Sequence, residues 1–422
     1  MAFLWDATNQ PLPILEGHTD KIHQAAFSLD GSCILTASED GTARLWDMTG
    51  QPLVTLDHLR LKSVVRAVFS PSIERAVFSP DRQHIFTIAD DRKVWLWDVR
   101  GHPLGTIDTG TNPRIGFRGV VFSPDRRYFL SDSSGGTAQL WEVASQWVGG
   151  VRRRRYELEP EELWDPDLWE VVAEPLVTLK GHTGAILNAE FSSDGTRILT
   201  ASQDGTARLW DVTGQPLVTF EGHTDSVDIA VFSPDGMRIL TASQDGTARL
   251  WDVTGQILAT LEGSLYEVST AKFSPDGSHI LIAWACEDVQ LCDAMGQLLA
   301  TLDNYTNDDR SAVFSPDGSR ILATLESGTA GLWNAMGQHL TTLRGHTRNV
   351  TTMVFSPDGT RIVTTSDDGT ARLHPVITED LLAIAFCRAT RGLTEAEIRQ
   401  FSVPAPPRFS WKRADDSAGQ LG

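Results

Sequence analysis

Cysteine is scarce in this sequence, with four residues in 422: Cys33, Cys286, Cys292 and Cys387. None belongs to a CxxC pair and no histidine clusters beside them, so the pattern indicates neither a zinc site nor a disulfide framework. This usage is typical of a protein in a reducing cytosol. We therefore expect a cytoplasmic protein with no bound metal and no other cofactor.

Long apolar runs and an excess of basic residues are also missing. No run of about 18 apolar residues occurs, and no basic-then-apolar leader opens the chain. The chain has 55 acidic against 36 basic residues, which gives a net charge of -19. Such a balance argues against nucleic acid or an anionic membrane as the main partner, and we expect neither.

A repeat dominates the sequence that is present. Residues 212–252, VTGQPLVTFEGHTDSVDIAVFSPDGMRILTASQDGTARLWD, follow a nearly identical copy. The tryptophan that closes each copy, or the residue in its place, lies at 5, 46, 97, 141, 210, 251, 292 (Cys), 333 and 374 (His). Successive gaps are 41, 51, 44, 69 and then four times 41 residues. The chain is therefore eight units of one period with three insertions.

Each unit contains four short apolar runs separated by turn signals. In residues 212–252 the runs VDIAVF, MRILTA, TARLWDV and QPLVTF are separated by Pro-Asp-Gly, Gln-Asp-Gly and Thr-Gly-Gln, which predicts four strands joined by tight hairpins. The runs carry few charges on either face, so each sheet has to be covered on both sides. We predict an all-β fold, an eight-bladed β-propeller of four-stranded antiparallel blades, with seven blades as the alternative.

The pairs Gly222-His223, Asp245-Gly246 and Trp251-Asp252 resemble the WD-repeat (WD40) family, in particular its bacterial and cyanobacterial arrays, over about residues 4–376. The resemblance implies a hydrogen-bonded set in each blade, made of a His, a Thr, an Asp and a Trp. A buried His and Asp are costly unless they pair with each other and with a hydroxyl. The sets are His18, Thr36, Asp40, Trp46; His182, Thr200, Asp204, Trp210; His223, Thr241, Asp245, Trp251; and, lacking the Trp, His346, Thr364, Asp368.

The remaining units depart from this pattern, and we expect their blades to be less firmly held. The second unit has His58, Thr87, Asp91 and Trp97, the third Ser131, Gly135 and Trp141, the sixth Ile282, Cys286 and Cys292, the seventh Ala323, Ser327 and Trp333, and the eighth ends in His374. The third has no matching histidine, so we expect it to depend on side-chain packing alone. The second also contains RAVFSP twice, at 66–71 and 75–80, and one copy has to serve as the strand.

The domain boundaries follow from where the repeat stops. We predict a propeller over residues 1–376, a helical extension over 377–402 that contains a capping box, and a disordered tail over 403–422. The chain starts in mid-unit, so the stretch from Gln10 to Leu15 should pair with the last unit and join the ends of the ring.

An insertion at about residues 143–174 interrupts the repeat between the third and fourth units. It contains four consecutive arginines beside an acidic, tryptophan-bearing stretch. One interpretation is a solvent-exposed loop between two blades, whose arginines are neutralised by nearby glutamates. The other is a partner-binding arm, because exposed Trp and Arg often anchor interfaces. Its candidate contacts are Arg153, Trp164 and Trp169.

The sequence contains no catalytic signature apart from residues that belong to the repeat itself. The sequence has no Walker loop, GxSxG elbow or HExxH helix, and its Asp-Gly pairs lack the ligand ladder of a 12-residue calcium loop. Ser, His and Asp recur at the same position of unit after unit, whereas catalysis needs a singular arrangement. We predict that the protein is not an enzyme.

Variable loops on a fixed frame are a usual place for recognition. The residues after each Gly-His pair and before each Asp-Gly turn should lie on one rim around the central channel: Asp20, Lys21, Arg114, Asp225, Ser226, Tyr266, Tyr305, Arg348, Asn349, Glu39, Gln203, Gln244 and Asp367. We hypothesise a monomeric scaffold that binds a protein or peptide partner there. The alternatives are a sensor module of a larger bacterial signalling protein with a nucleotide-dependent switch or protease effector, a small-ligand or glycan binder that uses the channel, and duplicated loops without a partner.

Overall fold

The structure is a computed structural model that describes residues 13–57, 73–78, 84–89, 93–108, 120–125, 127–133, 136–142, 175–262, 268–284, 289–302, 311–325 and 328–376. Across these ranges the secondary structure consists of β-strands and no helix. The insertion at 143–174, the helical extension at 377–402 and the tail at 403–422 lie outside the described residues, so their assignments stay predictions.

The strands form eight separate four-stranded antiparallel sheets, which are the blades, numbered here in chain order. Blades 1 to 4 consist of β2 Ile22–Phe27, β3 Cys33–Ser38, β4 Thr42–Asp47, β5 Pro52–Asp57; β6 Ile73–Phe78, β7 His84–Ala89, β8 Lys93–Asp98, β9 Pro103–Asp108; β10 Val120–Phe122, β11 Tyr128–Ser133, β12 Thr137–Glu142, β13 Val177–Leu179; and β14 Ile186–Phe191, β15 Arg197–Ser202, β16 Ala207–Asp211, β17 Pro216–Phe220.

Blades 5 to 8 repeat the arrangement. They consist of β18 Val227–Phe232, β19 Arg238–Ser243, β20 Thr247–Asp252, β21 Ile257–Glu262; β22 Val268–Phe273, β23 His279–Trp284, β24 Val289–Asp293, β25 Leu298–Leu302; β26 Ala312–Phe314, β27 Arg320–Leu325, β28 Thr329–Asn334, β29 His339–Leu343; and β30 Val350–Phe355, β31 Arg361–Ser366, β32 Ala371–Pro375 with β1 Ile14–Leu15. The prediction of eight four-stranded blades is confirmed.

The two ends of the described chain join in blade 8. Strand β1 pairs antiparallel with β32, with Ile14 opposite Arg372 and Leu15 opposite Ala371. The Thr351 hydroxyl donates to the Ile22 carbonyl of blade 1 at 2.6 Å. The expected pairing of the N-terminal stretch with the last unit is therefore present at residues 14 and 15, and it closes the ring.

The second copy of the RAVFSP duplication supplies the inner strand of blade 2. Strand β6 ends at Phe78 and pairs with β7 so that Phe78 lies opposite Ile85. The first copy, residues 66–71, lies outside the described part of the chain.

The hydrophobic core lies between the blades, because each sheet buries both faces against its neighbours. Eight clusters of buried side chains occupy the eight interfaces around the ring. Between blades 4 and 5, Leu199 and Leu209 pack against Ile239 and Trp251. The ring closure has a cluster of the same kind. A blade therefore depends on both of its neighbours for the burial that stabilises it.

The first strand of each blade is innermost and lies beside the first strand of the next blade. An inner edge strand has unpaired N–H groups that need an acceptor. Side chains of the preceding blade supply some of these acceptors. The Gln24 amide oxygen accepts from the Ala76 N–H at 3.0 Å, and the Asn188 amide oxygen accepts from the Ala230 N–H at 3.3 Å.

Strand alternation gives the disc two faces with different loops. The turns between second and third strands and the loops that enter each blade lie on one face, which we call the Asp-Gly face. The turns between first and second strands lie on the other, the Pro-Asp face. On the Asp-Gly face, Gly369 of blade 8 has φ +76°, and a Cβ there would lie 3.2 Å from the Asp20 carbonyl of blade 1. This turn requires glycine both for its backbone conformation and for its contact with the next blade.

Candidate functional site

The residues expected to form the repeat's polar set meet in blade 5. His223 Nε2 lies 2.8 Å from Thr241 Oγ1, and its Nδ1 lies 2.9 Å from Asp245 Oδ2. The Trp251 indole N–H donates to Thr241 Oγ1 at 2.8 Å. The same three contacts, at 2.8 to 2.9 Å, join His18, Thr36, Asp40, Trp46 and also His182, Thr200, Asp204, Trp210.

The hydrogen-bond inventory fixes the protons of this set. An indole N–H can only donate, so Thr241 Oγ1 accepts from Trp251 and is free to donate its own proton to His223 Nε2. The other ring nitrogen, Nδ1, then carries the hydrogen that is donated to the Asp245 carboxylate. Burial lowers the pKa of His223, and the Asp245 carboxylate only partly offsets that effect. The ring is therefore neutral at pH 7 while the carboxylate is ionised.

Two neighbouring threonines also donate hydrogen bonds to the Asp245 carboxylate. Burial by itself would raise the pKa of Asp245, but hydrogen bonds from the Thr247 hydroxyl, the Thr224 N–H, His223 and the Thr247 N–H together outweigh it and hold the pKa at about 2. Thr247 Oγ1 donates at 2.7 Å and the Thr224 N–H at 3.0 Å. Sequence reasoning missed both threonines, although each stands at a fixed place after the Gly-His pair or the Asp-Gly turn.

A serine on the second strand is a further residue that the sequence analysis missed. The Ser243 hydroxyl donates to the Asp225 carbonyl at 3.2 Å and accepts from the Asp245 N–H at 3.0 Å. It thereby joins the loop that enters the blade to the Asp-Gly turn. The equivalent residues Ser38, Ser202 and Ser366 make the same two contacts, so the signal was the recurring Ser before the turn.

Blades 2 and 3 contain the hydrogen bond between the closing tryptophan and a hydroxyl of the second strand. The Trp97 N–H donates to Thr87 Oγ1 at 2.7 Å, and the Trp141 N–H donates to Ser131 Oγ at 2.9 Å. The expectation that the third blade depends on packing alone was therefore wrong, because a serine hydroxyl replaces the threonine. His58, Asp91 and Gly135 lie outside the described residues.

Blades 6 and 7 have an apolar residue at the position of the threonine. In blade 6, Ile282 and Cys292 are fully buried where blade 5 has Thr241 and Trp251, and burial raises the pKa of the Cys292 thiol to about 11. The Trp284 N–H of blade 6 instead donates to the Gly246 carbonyl of blade 5 at 3.1 Å. In blade 7, Trp333 and Ala323 are buried together. Cys286 and Ser327 lie outside the described residues.

Blade 8 has a histidine in place of the closing tryptophan. His374 Nε2 lies 3.1 Å from Thr364 Oγ1, which also contacts His346 Nε2 at 2.9 Å. Burial lowers the pKa of His374 to about 3, so the ring is neutral and fills the place of the indole. The contact from His346 Nδ1 to Asp368 Oδ2, at 3.2 Å, is longer than in the other three sets.

The structure brings together the two groups of residues proposed for the rim. Backbone hydrogen bonds join the turn and the entry loop of one blade, from Glu39 N to Lys21 O at 3.0 Å and from Asp367 N to Asn349 O at 3.1 Å. The ion pair of Lys21 Nζ with Asp367 Oδ1, at 3.1 Å, then connects blade 1 to blade 8. Gln244 N donates to the Ser226 carbonyl in the same way.

Most rim residues within the described ranges present their side chains to solvent. Exposed are Asp20, Glu39, Gln203, Asp225, Gln244, Arg348 and Asn349, whereas Lys21 and Asp367 are half-buried. Ser226 differs, because it is 6% exposed and its hydroxyl donates to Asp228 at 2.7 Å. Outside the described residues lie Arg114, Tyr266 and Tyr305 of the rim and Arg153, Trp164 and Trp169 of the insertion.

The chemistry of this face is that of charged and amide side chains. In the part of the chain that the structure covers, no group of three or more His, Cys, Asp and Glu side chains is arranged to hold a metal ion. Among the same residues, no helix has the length and apolar character needed to cross a bilayer. The histidines and aspartates of the polar sets are nearly inaccessible to solvent, which fits a structural role.

Eight radially stacked, four-stranded sheets with a closure between first and last strands define a β-propeller. The family description "IFT122 first beta-propeller" matches residues 167–375, and "WD domain, G-beta repeat" matches residues 9–47 and 50–98. The chain is a WD-repeat β-propeller. Proteins of this family are typically interaction scaffolds, which supports a general protein-binding role.

Similar proteins share only short stretches with this chain. It is 32% identical over 118 residues to nuclear distribution protein PAC1-2 of Uncinocarpus reesii, covering 25% of this chain and 26% of that protein. It is 30% identical over 94 residues to the WD repeat-containing protein 26 homolog of Arabidopsis thaliana, covering 22% and 14%. The third is target of rapamycin complex subunit wat1 of Schizosaccharomyces pombe, 45% identical over 42 residues and covering 10% and 13%. The chain thus spans about a quarter or less of these relatives.

A solved structure shows the same fold over most of the chain. The computationally designed Ika8 protein superposes with a TM-score of 0.67 at 23% identity, covering 86% of this chain and 99% of that one. At this identity the likeness concerns the fold alone.

Proposed function

We propose that this propeller is a non-catalytic scaffold that binds a protein or peptide partner on its Asp-Gly face. The observation that carries the proposal is the contrast between a repeated buried frame and the differing side chains above it. The His, Thr, Asp and Trp of each complete set are locked by hydrogen bonds. The exposed residues over them vary, from Asp20 and Glu39 in blade 1 to Arg348 and Asn349 in blade 8. Rigid positioning of variable polar groups suits recognition.

The charges of this face favour a partner with basic side chains. Asp20, Glu39 and Asp225 are exposed carboxylates among the described rim residues, against the one exposed cation Arg348, and the Lys21 ammonium is paired with Asp367 at 3.1 Å. The net charge of -19 adds a long-range attraction for cationic partners. Such an attraction raises the association rate more than the intrinsic affinity, and it weakens with salt.

The test is affinity capture from the native cell with matched variants. The double variant combines Glu39→Lys, which reverses a charge, with Gln203→Lys, which adds a positive charge. Both side chains are exposed on the Asp-Gly face. Met237→Lys is the control, because Met237 is 62% exposed on the Pro-Asp face. We expect the wild type and the control to recover the same partner and the double variant to lose it. Retention by the double variant, or equal loss by the control, contradicts the assignment of this face.

A place within a larger signalling protein, a cytoplasmic location and a monomeric state remain predictions of the sequence. A partner-binding role of the insertion is likewise a prediction from the sequence. Capture with and without residues 143–174 distinguishes an insertion that contributes contacts from one that does not.

A further inference from the structure

A cavity of about 550 Å³ opens into the central channel on the Pro-Asp side. The last residues of the first strands of blades 4 to 7 form its wall, with Phe191, Phe232, Phe273 and Phe314 at equivalent places. Two ionisable side chains, Glu190 and Lys272, line the same cavity. Ser193, Ser233 and Ser274 also line it, so the cavity combines apolar surface with polar groups, as small-molecule sites do.

The position that precedes each of these phenylalanines shows that the two charges are not required by the fold. Blades 2, 3, 5, 7 and 8 have valine there and blade 1 has alanine: Val77, Val121, Val231, Val313, Val354 and Ala26. Only blades 4 and 6 have an ionisable residue, in Glu190 and Lys272. Since five other blades form with valine, the fold does not explain the lysine.

Glu190 has a contact that accounts for its carboxyl group. Its Oε2 accepts from the Phe232 N–H of blade 5 at 3.2 Å, at the open edge of strand β18. Burial raises the pKa of Glu190 to about 7, against which this hydrogen bond acts only in part. The carboxyl group is thus partly protonated at neutral pH, and it provides the cavity with less than a full negative charge.

Lys272 has no counterpart of that contact. Among the residues that the structure describes, its ammonium group has neither an ion-pair nor a hydrogen-bond partner. The side chain remains accessible to solvent from the channel, yet protein surrounds it, and this desolvation lowers the pKa of Lys272. An ammonium group that is exposed to the channel in this way is available to pair with an anion that enters the cavity.

We propose that this cavity binds a small organic anion with an apolar body, whose carboxylate pairs with Lys272 and whose body contacts the partly exposed side chains of Phe273 and Phe314. The Lys272 cation supplies the charge complementarity, and Phe273 and Phe314, with the neighbouring Val231 and Val313, supply the accessible apolar surface. This site lies on the face opposite to the proposed partner surface. The proposal of this site is therefore independent of the proposed scaffold function.

The test compares probes that differ only in the polar group. 4-Phenylbutyrate, 4-phenylbutyramide and 4-phenylbutylamine share one apolar body, and ligand-observed NMR titration gives their affinities. We expect the carboxylate to bind about tenfold more tightly than the amide, as for a charge-assisted hydrogen bond, and the amine to bind most weakly. Equal affinities for carboxylate and amide, or no binding of the carboxylate, overturn the proposal.

Variants assign the effect to Lys272. Lys272→Val introduces the residue that five other blades have, so it should fold with an unchanged unfolding midpoint and lose the preference for the carboxylate. Lys272→Arg should retain the preference. Lys21→Val, which removes a lysine from the opposite face, is the matched control and should also retain it. A preference that survives in Lys272→Val, or that disappears in Lys21→Val, contradicts the site.

Discussion

Blades 4 and 5 and blades 6 and 7 have the same architecture but different interiors. Blade 5 has three linked polar residues and an indole, whereas blade 6 has Ile282 and Cys292 in the same places. The strand register is nevertheless identical, with Ile239 opposite Trp251 and Ile280 opposite Cys292. Interblade burial and turn chemistry are therefore sufficient for a blade, and the polar set adds local rigidity.

The four blades in which a His, a Thr and an Asp are joined by hydrogen bonds are arranged symmetrically around the ring. Blades 8 and 1 are adjacent, blades 4 and 5 are adjacent, and in a ring of eight these pairs lie opposite each other. Blades 2 and 3 and blades 6 and 7 lie between them. An apolar replacement of a buried polar network is close to neutral when all its members change together, but costly when one partner is left. Blade 6 is consistent with the first case.

The largest expected effect is the loss of a closing tryptophan. Trp251 is 1% exposed and packs between blades 4 and 5, so Trp251→Ala should cost about 3 to 5 kcal/mol of unfolding free energy, as for other buried aromatics. Urea unfolding followed by circular dichroism measures it. Met237→Ala, at a site 62% exposed, is the control. Equal midpoints for the two variants contradict the interior position of Trp251.

Replacing the threonine of blade 5 by the isoleucine that blade 6 has at the same position should lower the free energy of unfolding. Thr241→Ile leaves the Trp251 N–H and His223 Nε2 without their partner, and two unpaired buried groups cost about 3 kcal/mol. The measurement is again the free energy of unfolding in urea. A loss under about 0.5 kcal/mol would mean that the polar set contributes nothing to the blade.

The reverse exchange tests the apolar interior of blade 6. Ile282→Thr buries a hydroxyl where Cys292 replaces the indole donor, so we expect a cost of about 1 to 3 kcal/mol. Stabilisation by this variant would contradict the view that blade 6 is self-consistent without the set. Ile282→Val, which keeps the site apolar, is the matched control and should cost about 1 kcal/mol.

The next prediction compares the stability of blade 8 at two pH values. The folded pKa of His374 is about 3 against an ordinary 6.5, so folding favours the neutral ring. The corresponding stability is fully present above pH 6.5 and declines as the pH falls, by about 2 kcal/mol at pH 5. His374→Trp should remove that share of the acid sensitivity. Unfolding in urea at pH 7.5 and pH 5 measures it, and equal pH dependence of both proteins contradicts the assignment.

The smallest expected effect is on the Asp-Gly face. Gln203 is exposed, so Gln203→Ala should change the unfolding free energy by less than about 0.5 kcal/mol. A larger loss, measured by urea unfolding, would mean that this side chain stabilises the turn.

Local spacing accounts for most of what could be predicted. The 41-residue period predicted eight blades, and the turn signals at Pro234-Asp235-Gly236 and Gln244-Asp245-Gly246 predicted two hairpins per blade that the structure contains. The third blade was misjudged because the lack of a matching histidine and the glycine at position 135 were taken to mean that no polar contact remained, although Ser131 was recognised as present. The hydroxyl, and not the methyl group of threonine, is what the indole needs.

Contacts between blades could not be predicted in the same way. The bond of Trp284 to the Gly246 carbonyl and the pair of Lys21 with Asp367 join residues far apart in the chain. The cavity likewise combines Glu190 and Lys272 from blades that are not neighbours. Periodicity gives each residue's place within its blade, but these contacts depend on the angle and distance at which two blades stack.

The sequence by itself determined the number of blades, their strands and the place where the ring closes, because hairpin register depends on nearby residues. Only the tertiary structure decided which side chains became partners across blades, which of the described rim residues stayed exposed, and that Lys272 faces the channel. The physical reason is that burial and pairing depend on neighbours in space, and stacking alone brings those neighbours together.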